Sequence, residues 1–147
     1  MRKALALALL ALAGAAALLP LSATAARSHT VDATLVGVRV AAQGGYDIAA
    51  DRVTEKTLGE GAALLRTKST GGNNLAIRFK VFFPSGMQKG IGTLAFTPQP
   101  DGTITFAGTA HFTGGTGRFK GITGNLKLSG TVANGLTTSH VTGNARF

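Results

Sequence analysis

Gly114 to Gly130 reads GGTGRFKGITGNLKLSG, and this stretch decides the fold. Closely spaced glycines surround Phe119 and Ile122, and the run then settles into Leu126 and Leu128 alternating with Lys127 and Ser129. Glycine supplies backbone angles that other residues resist, and period-2 alternation is the mark of a strand with one buried face. The stretch therefore predicts a sharp turn feeding a strand. It specifies an architecture and leaves the activity open.

The same alternation extends on both sides. Upstream, Leu75, Ile77, Phe79, Val81 and Phe83 share one face, with Arg78, Lys80 and Phe82 on the other. Pro84-Ser85-Gly86 turns the chain, and Gly92, Leu94 and Phe96 begin the next strand. Gln99-Pro100-Asp101-Gly102 makes a tight connection to Ile104, Phe106, Gly108, Ala110 and Phe112. Downstream, Asn134-Gly135 is a strong hairpin dipeptide that introduces Val141, Gly143, Ala145 and Phe147. Nearer the start, Val31, Ala33 and Leu35 change parity to Val36, Val38 and Val40, which predicts a bulge near Gly37 that keeps both sets inward. Between Gly44 and Lys68 the pattern fades. Asp47 to Leu58 reads as a short helix or an irregular excursion, and Ala62 to Leu65 as a short strand.

Five consecutive strands from Leu75 onward form a meander with short connections. Such a sheet either packs on a second sheet or closes on itself, and closure removes exposed edges. Gly92, Gly108, Gly130 and Gly143 fall on the inner parity, which favours bending into a barrel and predicts interior space where side chains would otherwise project. The expectation is an all-β, antiparallel, eight-stranded barrel.

The first 26 residues are of another kind. Arg2 and Lys3 precede an apolar run from Ala4 to Leu19, Pro20 breaks it, and Ser22-Ala23-Thr24-Ala25-Ala26 follows. That is the pattern of a secretory signal peptide cleaved after Ala25 or Ala26, with residues 27–147 as one domain. The expected location is secreted, extracellular or periplasmic. Without Arg2 and Lys3, 13 basic residues face 6 acidic ones, a net charge of +7. The excess favours an anionic cell-envelope surface, but the cations are scattered and no nucleic-acid motif is present. No apolar run after the leader is long enough to span a membrane. The chain has no cysteine, which excludes disulfides, thiol catalysis and cysteine metal sites.

The segment FTGGTGRFKGITGNLKLSG, preceded by DGTITFAGTAHF, resembles the C-terminal signature of the allene oxide cyclase and dirigent β-barrel superfamily. In that signature a Gly-Gly-x-Gly-x-Phe-x-Gly-x-x-Gly turn joins two late strands, and here it falls on Gly114, Gly115, Gly117, Phe119, Gly121 and Gly124. The resemblance covers Gly92 to Phe147. It implies a calycin-like barrel with a small, often apolar, cavity, as in plant members that steer cyclisation or radical coupling and in secreted bacterial relatives. The matched motif is a structural turn. Val31 to Val40 carries Asp32 as its one acid where cyclases of the family carry a Glu-and-Asn strand signature, so no catalytic residue comes across.

The chemical candidates are few. Asp32 at the first strand and Tyr46 in the following loop fall near a barrel mouth, where a carboxyl facing an apolar interior would act as a general acid or base. Leu75, Ile77, Phe79, Leu94, Phe96 and Phe106 are the expected lining of a ligand cavity. His111 and His140 lie at outward parity and His29 lies near the terminus, so no metal site is signalled. Gly90 to Ala95 fits a loose dinucleotide pattern but lacks its helix, no serine sits in a nucleophile elbow, and no cofactor is implied. The leading expectation is a hydrophobic-ligand barrel of unassigned activity. A barrel cyclase or isomerase and an envelope-attached structural module without a cavity stand beside it, and oligomeric state is left open.

Overall fold

The computed structural model describes residues 27–147, and the signal peptide expected over residues 1–26 lies outside them. Eight strands run in chain order: β1 (Ser28–Gln43), β2 (Tyr46–Glu55), β3 (Gly59–Gly71), β4 (Asn74–Phe83), β5 (Gly86–Pro98), β6 (Ile104–Gly115), β7 (Thr123–Ala133) and β8 (Leu136–Arg146). Every neighbour is antiparallel, and β8 returns to β1 from Ser28↔Arg146 to Val38↔Leu136, closing the barrel. Closure leaves no strand edge unpaired.

Among the described residues the single helical turn is Gly117–Phe119, inside the glycine-rich stretch. Gly117 adopts φ +59, and a side chain there would strike the Ser85 carbonyl. The loop is stitched to the β4–β5 turn by Thr116 N–H donating to Met87 O (2.7 Å) and Arg118 N–H to Ser85 O (2.9 Å). This fold-back drives Phe119 into one end of the barrel, where it is fully buried, edge-on to Phe147 at 5.0 Å and tilted against Phe83 at 5.9 Å. Ile122 is buried with it. That end is sealed. Asn134 and Gly135 both have positive φ, as the hairpin dipeptide requires.

Three expectations need correction. The stretch from Gly44 to Lys68 holds no helix, being mostly β2 and β3. Alternation was obscured because two of the three fully buried positions of β2 are Asp51 and Glu55. The bulge of β1 lies between Arg39 and Ala41 instead of near Gly37, so Val36, Val38 and Val40 face outward, at 40%, 46% and 55% exposure. Gly37 continues the inner parity of Leu35, and the Asp51 side chain occupies the place a Cβ would take there. Finally, the inward glycines do not stand beside empty space. Gly90 receives the Phe79 ring, Gly130 the Phe106 ring and Gly108 the Leu94 side chain, while Gly92 and Gly143 lie against backbone of the paired strand. Strong coiling tilts each missing Cβ toward its neighbour, so these glycines permit close approach.

Candidate functional site

The interior is built from alternate residues of all eight strands: Val31, Ala33 and Leu35 of β1, Val53 of β2, Ala63 of β3, Ile77 and Phe79 of β4, and their counterparts on β5 to β8. At its centre a cavity of about 50 Å³ is walled mainly by apolar side chains, among them Val31, Leu35, Ile77, Phe79, Leu128 and Val141. Glu55 and Gln88 are its polar members. Drug-sized ligands occupy roughly 300–1,000 Å³, so in this conformation the cavity takes a group of a few heavy atoms. A depression of about 400 Å³ at the end opposite Phe119 is lined by Gly44, Tyr46, Asp47, Thr67, Ser69 and Leu75. A larger groove of about 960 Å³ crosses the outer wall past Arg78, His111, Asn125, Lys127 and Asn144. It is an open trough in which Ala76, Ile91, Ala110 and Leu126 lie between polar residues, and it holds no unpartnered buried group, which makes the lumen the better candidate.

Two carboxylates enter this interior, and they differ in how they are satisfied. Glu55, 3% exposed, accepts hydrogen bonds from the backbone N–H groups of Thr57 (2.8 Å), Leu58 and Asp32 (3.3 Å). His29 Nε2 stands 3.4 Å from its Oε1, off the line of a hydrogen bond. Glu55 thus ties the β2–β3 turn to β1 at the sealed end. Its role is accounted for by these bonds.

Asp51 is 4% exposed, and its Oδ1 has no hydrogen-bond partner. It lies one pleat along β2 from Val53, which lines the cavity, and is paired in register with Gly37 on one side and Ala63 on the other. The carboxylate leans over Gly37, where any side chain would collide with it. Burial pushes its pKa up to about 6. Small neighbours make the room, and no protein donor fills it. Further toward the mouth on the same parity, Arg39 is engaged by Asp47 in an exposed ion pair.

The residues singled out from sequence fall in different places. Ile77 and Phe79 line the cavity, while Leu94 is buried in the surrounding core and Leu75 and Phe106 pack against it. Phe96 is half-buried on β5, beyond Leu94. Asp32 is on the outer wall, its side chain 44% exposed and its Oδ1 3.7 Å from His140 Nε2. Tyr46 lines the mouth depression and carries the Arg66 guanidinium 4.6 Å above its ring. The structure does not bring Asp32 and Tyr46 to the cavity. Asp51 and Glu55 escaped sequence reading because each stands where an apolar residue would mark a strand. The available signal was the isolated Val53 between them, flanked by outward Arg52 and Thr54. Among the described residues no group of three or more His, Cys, Asp and Glu side chains converges as a metal site would require. Compared with known proteins, the chain matches no family model, no curated protein and no solved structure.

Proposed function

We propose that this protein is an exported barrel that holds a small apolar group in its lumen. The observation that carries the reading is the apolar-walled cavity inside a closed barrel, sealed by Phe119 at one end. Asp51 adds one unfilled acceptor a pleat away, which suits a ligand with a single hydroxyl or amine donor at the end of an apolar body. The leader over residues 1–26 and the resemblance of Gly114 to Gly124 to the allene oxide cyclase and dirigent turn support the export and the calycin-like lineage. The test is thermal unfolding with xenon under pressure and with short alkanols, probes small enough for the cavity. Saturating binding raises the midpoint, by about 2.7 kcal/mol of stability at a hundred times Kd. If no member of the series shifts the midpoint, the lumen is not a binding site.

A second reading, a cyclase or isomerase, is favoured by Asp51. A carboxyl held near pH 6 in apolar surroundings gives and takes a proton at neutral pH. Turnover of polyene substrates that is abolished in Asp51→Asn supports this reading, and turnover unchanged in that variant removes Asp51 from it.

A further inference from the structure

The register of β3, β4 and β5 places like charges face to face on the outer wall. Arg66 pairs with Arg78, and Lys80 pairs with Lys89. Directly opposed like charges on one sheet face repel, so a sequence free to vary would place an acid among them. One acid, Glu60 at the start of β3, shares this face, and it is taken up by Arg52 of β2; from Gly61 to Pro100 the chain contains no Asp or Glu. The other five are off this face: Asp32 lies near His140, Asp47 pairs with Arg39, Asp101 accepts from Thr103, and Asp51 and Glu55 are buried. Among the described residues Arg66, Lys68, Arg78, Lys80 and Lys89 make no ion pair.

Large apolar side chains are interleaved with these cations. Leu64, 38% exposed, is opposite Lys80; Ile91, 43% exposed, is opposite Arg78; Phe82, 45% exposed, is opposite Met87, one pleat beyond Lys80. Across the register Leu64 also meets Ala50, and Ala50 meets exposed Val38. The face therefore offers unneutralised cations and water-exposed apolar groups within the same few rows.

We infer that the outer face of β3, β4 and β5 docks on an anionic lipid bilayer, Lys80, Lys89, Arg66 and Arg78 meeting headgroups and Phe82, Leu64 and Ile91 entering the interface. Charge complementarity selects an anionic partner, and the apolar members select a bilayer over a soluble polyanion, which would leave them in water. Such docking is independent of what the lumen holds.

Residues 27–147 contain all eight strands of the closed barrel and the core packed within it, so that chain serves for the test. It is sedimented with vesicles of phosphatidylcholine alone or with phosphatidylglycerol added, at about 0.1 M and about 1 M salt. The expected result is binding to the anionic vesicles only, lost at the higher salt. Each cation near such a surface is worth roughly fivefold in affinity, so Lys80→Gln with Lys89→Gln weakens binding by about 25-fold. Lys127→Gln, on β7, serves as the control and changes binding little. Phe82→Ser weakens vesicle binding while leaving retention on heparin unchanged. All four side chains are exposed, and an unaltered thermal midpoint confirms folding. Equal binding to neutral vesicles, indifference to the Lys80 and Lys89 substitutions, or indifference to Phe82→Ser would each overturn the inference, the last pointing to a soluble polyanion.

Discussion

Replacing Asp51 by Asn separates the cost of a buried charge from everything else in the barrel. Burial raises the Asp51 carboxyl from 3.8 to about 6, a difference of about two units, and one unit is worth about 1.4 kcal/mol. A carboxyl with a raised folded pKa binds protons more tightly in the native state, so its contribution to stability falls as pH rises between about 4 and 6. Below that window the group is neutral in both states and no charge penalty exists. Above it, the folded protein carries an unpartnered charge that costs about 3 kcal/mol. Asn is the same size and does not titrate, though its amide is also buried, so the net gain at pH 8 is about 1–3 kcal/mol. Urea unfolding of both proteins at pH 4 and pH 8 measures this, because the other titrating groups cancel in the difference. The expected outcome is a gap in unfolding free energy that opens toward high pH in favour of Asn, reaching about 1–3 kcal/mol at pH 8. Curves that run parallel across the range, or an Asn variant less stable at both pH values by the same amount, would show that Asp51 already has a partner and refute the reasoning.

Three further substitutions test the packing. Gly37→Ala sets a methyl group against both the Asp51 carboxylate and the Ala50 carbonyl and should cost 2 kcal/mol or more, on the order of other overpacking changes; denaturant midpoints check it, with part of the loss recovered in the Asp51→Gly background. Phe119→Ala empties the plug among Phe83, Phe147 and Ile122 and should destabilise by about 3–5 kcal/mol, with cooperative unfolding lost near physiological temperature in circular dichroism. Glu55→Ala strands the N–H groups of Asp32, Thr57 and Leu58, should cost about 2–4 kcal/mol, and should speed amide exchange in the β2–β3 turn before the rest of the barrel.

The later strands were legible because each has one apolar face and a turn whose chemistry is local. Phe79 and Ile77 against Arg78 and Lys80, or Asn134-Gly135 between two alternating runs, need no tertiary information. The early strands were not, and the reason is physical. The lumen wall of β2 is part carboxylate, and Asp51 fits only because β1 contributes Gly37 directly opposite, a pairing fixed by register and invisible along the chain. Val36, Val38 and Val40 misled in the other direction, since their β-branched side chains suit a strand whichever way they point. The cation pairs Arg66 with Arg78 and Lys80 with Lys89 are scattered in sequence and meet only once β3, β4 and β5 are aligned. What sequence could not convey was how fully the Phe79, Phe106 and Leu94 side chains occupy the places their glycine neighbours leave.

The most direct trial of the lumen account is methyl NMR of the isotopically labelled barrel titrated with xenon. The account predicts saturable shifts at Val31, Leu35, Ile77, Leu128 and Val141, the methyl-bearing wall of the cavity. Shifts confined to the outward Val36, Val38 and Leu64, or none at any methyl group, would contradict it.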